Sequence, residues 1–526
     1  MPVRALTGRT TRSGRRPLPY VNKLRGHSTP PPIGGWNAKD SLANMEEDEA
    51  IELINWFPEE SRVRVRKGYA SHATGLGGPV ESLMTWNGPS SSKLFAAATS
   101  SVFECTSSGA VGSAEITGLT NARFQHTMFS ASSGNYLYIV NGADSPRRYN
   151  GTSWTIPVLS GVTASTLVHV NVFKNRLFFV EKDSLSAWYL DVDSVSGALT
   201  EFDLGPNASL GGYLVAMATW TRDGGSGVDD YAVFLTSKGQ AIIYQGADPS
   251  VANDWFLVGT FTIGAPIGRR CMIKVGADII VITEDGFSQL SRFLAAARSS
   301  DRAAQSDKIS GAVNDAVRDY RSLFGWQPVF YPLGDMMLFN IPTANGAYHQ
   351  YVSHTASGAW CKFTGWNARC FEVFDNELYF GGSGAVYKAD TGTDDNGSAI
   401  ETQVLTAYSY FGNRGLVKRY AMVRPNLFIE GSVTATLHIE TDFAEEPTNE
   451  SVPTFTEASG TAWDEGSWDE FEWGDTGATN RNWQTIEGVG TCARLHLETS
   501  SSSGAVYWSA SDWLYEPVAS PGFITG

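Results

Sequence analysis

The stretch Tyr136-Leu137-Tyr138-Ile139-Val140, a turn holding Asn141, Gly142, Asp144 and Ser145, and then Arg148-Tyr149 make one compact unit. It is an apolar strand, a tight reversal and a second strand ending in an aromatic residue. The same unit appears as Leu94-Phe95-Ala96 with Val102-Phe103-Glu104, and as Leu177-Phe178-Phe179-Val180 with Trp188-Tyr189-Leu190. It continues as Ala232-Val233-Phe234-Leu235 with Ile242-Ile243-Tyr244, and as Ile279-Ile280-Val281-Ile282 before Gly286-Phe287. Met336-Met337-Leu338-Phe339 before Tyr348, and Leu378-Tyr379-Phe380 before Val386-Tyr387, complete the series. Measured at Leu94, Leu137, Leu177, Val233, Ile280, Met337 and Leu378, the intervals are 43, 40, 56, 47, 57 and 41 residues. Four of them match the roughly 40–50-residue period of four-stranded propeller blades.

Each of the two long intervals contains an insertion. One is the Gly/Asp loop 222–230. The other, 295–324, has helical character: Ile309, Ala312, Val313, Ala316, Val317 and Tyr320 form one stripe at helical spacing, with Asp307, Asp315 and Arg318 outside it. Seven hairpins predict six or seven blades, with the closing strand borrowed from the N-terminal side. After residue 395 the strands lengthen, and Leu437-His438-Ile439-Glu440-Thr441 is echoed by Leu495-His496-Leu497-Glu498-Thr499, as in related strands of a sandwich.

The expected fold is therefore all-β: a six- or seven-bladed β-propeller with an inserted helix, plus a C-terminal β-sandwich-like domain. Residues 1–32 read as a flexible basic arm stopped by Pro30-Pro31-Pro32, and 33–80 as a docking segment with the first strands. Residues 81–395 read as the propeller, and 396–526 as the platform. Within the docking segment the acidic run before Ile51 suggests a short helix or turn, and Val63-Arg64-Val65-Arg66 alternates as a strand.

The composition agrees: 54 Gly, 12% aromatic and only 18% charged residues suit many short strands and tight turns. The net charge of −16 is unevenly spread. Residues 1–25 hold Arg4, Arg9, Arg12, Arg15, Arg16, Lys23 and Arg25 and no acid, so 32 basic residues face 55 acidic ones beyond them, a body charge of −23. Such a body is a poor nucleic-acid binder, because DNA affinity comes mainly from Lys and Arg displacing counterions. No run of about 18 apolar residues is present to span a bilayer, and the basic segment lacks the apolar core of a signal peptide. Cys105, Cys271, Cys361, Cys370 and Cys492 are scattered without a C-x-x-C pair and read as buried thiols.

No catalytic signature is present: H-E-x-x-H, the P-loop, G-x-S-x-G and G-x-G-x-x-G are all missing, as is the sialidase Asp-box. No catalytic residue and no cofactor is assigned. The segment from Trp463 to Asp475 sets aromatics among six carboxylates but lacks the ligand ladder of a calcium loop, and reads as an acidic hairpin. His438 with His496, and His349 with His354, are weak pairs with no further ligand at suitable spacing, so no metal is assigned.

The opening Ile33-Gly34-Gly35-Trp36-Asn37 with Asp40-Ser41-Leu42, then Asn55-Trp56-Phe57-Pro58 and Val63-Arg64-Val65-Arg66-Lys67-Gly68-Tyr69, resembles that of tail nozzle (tail tubular protein B-like) proteins of short-tailed, podovirus-type phages. Ser306-Asp307-Lys308-Ile309, Tyr408-Ser409-Tyr410-Phe411-Gly412, Lys418-Arg419, Arg424-Pro425 and the Trp-Asp repeats at 463–469 extend the resemblance. It implies a virion structural protein without catalytic residues. Six copies would form a ring below the adaptor and portal proteins, touch tail fibres or tip proteins, and let double-stranded DNA pass without sequence reading. On this expectation the seven N-terminal cations dock on the adaptor. Carboxylates including Asp223, Asp229, Asp230, Asp307 and Asp315 face the lumen, with the glycine run 224–227 as a gate. The rival reading is a propeller-type glycan-binding adhesin or depolymerase on the virion surface, which differs in assembly: a conduit needs a closed cyclic ring.

Overall fold

The computed structural model describes residues 24–223, 228–251, 253–295, 304–430, 432–444, 454–456, 478–480 and 482–518. Seven small antiparallel sheets follow one another along the chain, and each expected hairpin supplies the second strand of one of them. Blade 2 is ordered Gln125–Ala131, Gly134–Val140, Arg147–Tyr149, Trp154–Thr155, and blade 3 Leu167–Phe173, Arg176–Glu181, Ser186–Tyr189, Thr200–Asp203. Blade 4 runs Leu214–Asp223, Val228–Thr236, Gln240–Gly246, Trp255–Thr262, and blade 5 has three strands, Met272–Val275, Asp278–Thr283 and Gly286–Gln289. Blade 6 is Gln327–Tyr331, Met336–Pro342, Tyr348–His354, Trp360–Phe363.

Blades 1 and 7 share one long strand, Tyr69–Asn87. Its first half pairs with Ser383–Ala389 as the outer strand of blade 7, which also contains Cys370–Phe374 and Glu377–Gly381. Its second half pairs with Ser92–Ala98, and Ser101–Glu104 follows as the third strand of blade 1. The changeover falls between Pro79 and Val80, and Gly75 and Gly77, both at positive φ where a side chain would be strained, lie in the irregular stretch just before it. The first strands of successive blades touch in sequence, and Cys370–Phe374 touches Tyr69–Asn87, so the circle is closed.

The apolar runs of the second strands are buried on both faces because each blade is packed between two others. One cluster holds Phe95 of blade 1 with Leu137 of blade 2, the next Val140 of blade 2 with Phe179 of blade 3. Phe178 of blade 3 packs with Phe234 of blade 4, and Val233 of blade 4 with Val281 of blade 5. Burying each such side chain contributes roughly 1.5–3 kcal/mol. All five cysteines are buried free thiols.

The helical stripe also holds. Ser310–Tyr320 is an α-helix preceded by a 3-10 turn, Asp307–Ile309. Ile309, Val313, Ala316 and Val317 are buried, while Ala312 and Tyr320 pack against the same core.

The N-terminal arm differs from the expectation. Arg25–Thr29, placed in the flexible arm, is a strand pairing antiparallel with Val506–Pro517 from Arg25 opposite Tyr515 to Thr29 opposite Ser511. Its backbone supplies that order, since Arg-Gly-His-Ser-Thr has no apolar alternation. The acidic run takes the turn alternative, at Glu47 and Asp48, and the strand Glu49–Ile54 follows directly.

The platform is not a separate C-terminal unit. One of its sheets runs Glu49–Ile54, Ile400–Thr406, Ala493–Ser501, Ser432–Thr441, and Glu49–Ile54 also joins blade 6 at Trp360–Phe363, making a single ten-stranded sheet. The other contains Lys418–Ile429, Val506–Pro517, Val63–Val65 and Trp56–Pro58. The docking segment is thus the seam, contributing Trp36, Leu53, Trp56, Phe57 and Val63 to a core shared by blades and platform.

Candidate functional site

The most completely satisfied polar group of the seam is Arg66. Its side chain is 1% exposed and grips Asp395 in a fork, Nη1 to Oδ1 at 2.8 Å and Nη2 to Oδ2 at 2.6 Å. Nε donates to Asn55 Oδ1, Nη1 to the Lys67 carbonyl and Nη2 to the Thr364 carbonyl, while the guanidinium lies over Trp366 at 5.2 Å. Four segments therefore converge where blade 7 meets the platform. Asn55, at φ 59°, also donates to Thr364 Oγ1 and the Glu401 carbonyl.

The acidic residues expected to share a lumen do not form one patch. Asp230 accepts from Lys174 Nζ at 2.8 Å and Thr221 Oγ1 at 2.9 Å. Burial opposes ionisation there, but those two contacts outweigh it and hold the carboxyl below its ordinary range. Asp307 pairs with Lys39 at 2.5 Å, and Asp315 with Arg318 at 2.7 Å, both exposed pairs beside the helix. The backbones of Asp223 and Asp229 belong to the blade 4 hairpin, opposite Val228 and Arg222. That hairpin turns between first and second strands, whereas residues 321–326 after the helix lead into a first strand. The hairpin and the helix therefore belong to different connections of the propeller. Residues 224–227, six of the seven arm cations and the segment from Trp463 to Asp475 lie outside the described residues. Arg25 is in the strand paired with the platform.

At the end reached by residues 321–326 the propeller axis is crossed by Arg270. From blade 5, its Nη2 donates to the Glu81 carbonyl and Ser82 Oγ of blade 1 and to the Phe124 carbonyl before blade 2. Phe324 lies against this guanidinium at 5.2 Å and against that of Arg123 at 4.3 Å. Sequence reading missed this cluster; its one linear signal is the adjacent pair Arg269-Arg270 in an acidic body.

The echoed strands are neighbours, with His438 opposite His496 and ring centroids 4.2 Å apart. Sequence reading also missed Glu440, two positions along and on the same face. Its Oε1 lies 3.8 Å from His438 Nε2 and 3.9 Å from His496 Nδ1. These separations exceed the roughly 3.3–3.4 Å between two ligands around a tetrahedral zinc with bonds of ~2.0–2.1 Å. Arg494 already takes Glu440 Oε2 through Nε at 2.8 Å and through Nη2, balancing its charge. This donor set is closer to a buried ion-pair network than to a metal centre. His349 and His354 stand on opposite faces of one strand; His349 stacks on Tyr351, and His354 bonds Ser357.

The chain matches no family model and no curated protein. Among solved structures it is similar to BBS1N in complex with ARL6DN, at 11% identity over 62% of this chain and 96% of that one, with a TM-score of 0.39. It is similar to the computationally designed Ika8 protein at 9% identity, 61% and 99% coverage and a TM-score of 0.36. YCF48 bound to D1 peptide gives 10% identity, 64% and 96% coverage and a TM-score of 0.34. These likenesses are remote, and the propeller stands on its own sheet topology.

Proposed function

We propose that this chain is a structural subunit of a short-tailed-phage tail nozzle, one of six copies in a closed ring through which viral DNA leaves the particle. The observation that carries the assembly half of this reading is an unpaired apolar edge. Trp255–Thr262 ends the blade 4 sheet, paired among the described residues only with Gln240–Gly246, and exposes Phe256, Leu257 and Val258 consecutively at 55%, 44% and 47%. A bulge at Val258 interrupts the ladder, but three consecutive exposed apolar side chains on a strand without charge or proline still favour contact with another chain. A neighbouring copy is the partner that a ring supplies.

DNA then runs between copies. The propeller axis is crossed by Arg270, leaving no duplex path there. The −23 body favours passage over capture, since a basic wall would hold phosphates by counterion release. The resemblance of the seam residues to nozzle proteins supports the same reading, because Trp36, Trp56, Phe57 and Arg66 fix the platform to the propeller. Adaptor and portal proteins above and fibre or tip proteins at the periphery are the partners this role requires.

The test is the mass of the assembled protein in solution together with its image by electron cryomicroscopy. A closed ring, reduced to monomer by Leu257→Asp with unchanged circular dichroism, is the expected result. A monomer at all concentrations, or a purified chain that cleaves host surface glycan, overturns the proposal in favour of the adhesin or depolymerase.

A further inference from the structure

The end of the propeller axis crossed by Arg270 also gathers positive charge. A cavity of about 420 Å³ opens there, lined by Arg123, Lys182, Arg269, Arg270, Arg321 and Phe324 among others. Five cations and no carboxylate line it. Two are compensated from outside: Arg123 pairs with Glu81 at 3.1 Å and Arg321 with Glu284 at 2.6 Å. Lys182, Arg269 and Arg270 have no carboxylate at ion-pair distance among the described residues; Asp183 acts on Arg269, and Glu372 and Glu81 on Arg270, only from farther off.

Two further observations mark this as more than a solvated patch. Arg270 Nη1 is shut away from solvent and has no acceptor, while Nη2 serves three. A buried guanidinium N–H without an acceptor is costly, and an oxyanion would remove that cost once a small turn of the guanidinium brings the N–H to the cavity wall. The neighbouring His169 registers the same local field: burial first, and then the charge of Arg269, push its imidazole down to about 4, so it adds no proton to the cluster at neutral pH.

We infer that this axial cavity is a binding site for a compact, multiply charged oxyanion of the phosphate type, held by Lys182, Arg269 and Arg270. The amides of the rim are engaged in their own turns: Asn141 Oδ1 accepts from the Ala143 and Asp144 N–H groups, and Asn121 Oδ1 from that of Arg123. Recognition therefore rests on charge and on the planar donor forks of the arginines, which suit tetrahedral and carboxylate oxyanions. Arg270 also anchors blades 1 and 2, so an occupied site would fasten three blades across the axis. This inference uses only the cavity and stands apart from the nozzle reading.

The experiment is calorimetric titration of the full chain with inorganic phosphate at fixed ionic strength, against chloride alone and against a short DNA duplex. Lys182→Ala, Arg269→Ala and their combination are compared with Arg318→Ala on the distant helix; Arg270 is left intact because it holds the scaffold. A single saturable phosphate site is expected, weakened about tenfold by each cavity substitution, as loss of one charge-assisted bond implies, and unaffected by Arg318→Ala. Thermal melting in chloride should be unchanged in all variants, which separates loss of the site from loss of the fold. Heats no greater than in chloride, or equal phosphate affinity in the double variant, overturn the site. Tight duplex binding that is abolished by the cavity substitutions, with no measurable binding of free phosphate, overturns the assignment to a small anion.

Discussion

Replacing Asp395 by alanine would leave the Arg66 guanidinium charged, 1% exposed and without its counter-charge at the junction of blade 7 and platform. Breaking a buried pair from one side typically costs about 3–5 kcal/mol, because the remaining charge stays desolvated. The upper part of that range applies here. Both carboxylate oxygens are engaged at 2.6 and 2.8 Å, and the surrounding backbone, set by Thr364 and Asn55, cannot open to admit water without breaking other bonds. Arg66→Met should cost a similar amount, by stranding Asp395 instead. Combining Arg66→Met with Asp395→Leu should be less damaging than the sum of the singles by about 2 kcal/mol or more, since neither charge then remains buried. Urea unfolding followed by tryptophan fluorescence gives the stabilities. Amide exchange across Tyr69–Asn87 and Ser383–Ala389 shows whether the ring closure is what loosens. Single substitutions that cost less than about 1 kcal/mol, as an exposed pair would, or a double variant whose loss is simply additive, would refute the clasp.

Three other outcomes are expected. His349 is pushed down to about 3 by burial and then by Lys362, so it stays neutral in the fold while the unfolded chain protonates below about 6.5. Its contribution is intact above that pH and lost as pH falls toward 3, on the order of 5 kcal/mol at most, and His349→Gln should flatten this part of a stability–pH series. Removing residues 1–23, which spares the Arg25–Thr29 strand, should leave the melting curve unchanged but weaken incorporation into particles, most visibly at raised salt; equal incorporation at every salt concentration would count against adaptor docking. Asp307→Lys with Asp315→Lys should assemble normally, since exposed pairs contribute little, yet slow DNA release at low salt and recover as salt is added; release rates indifferent to both changes would remove the repulsive-wall mechanism.

The propeller was legible because its second strands are buried on both faces: Leu137–Val140 and Ile279–Ile282 have no polar side to disguise them. The helix was legible because Ile309, Val313, Ala316 and Val317 keep one face. The echoed pair was legible because Leu437, Ile439, Leu495 and Leu497 alternate, and they lie on neighbouring strands. What was hidden depends on partners far away in sequence. Arg25–Thr29 is ordered by hydrogen bonds to Val506–Pro517, and a backbone ladder leaves no mark on side-chain pattern. The platform boundary was misplaced because Glu49–Ile54 serves blade 6 and platform together. The axial cations come from several separate segments, so no window of sequence contains them.

The strand shared by the first and last blades sets a timetable for synthesis. Residues 69–79 have the two-residue strand Gly109–Ala110 beside them early, but their long antiparallel partner Ser383–Ala389 is made much later, and the hairpin Trp56–Val65 waits longer still for Val506–Pro517. At roughly 5–20 residues per second, that wait lasts from about 20 seconds to more than a minute. Through that interval the nascent chain carries Trp56, Phe57 and Val63 without their final cover. A chain that stops short of Val506–Pro517 lacks the platform neighbour of Val63–Val65, so a loss at the far end of the sequence is felt at its first strands.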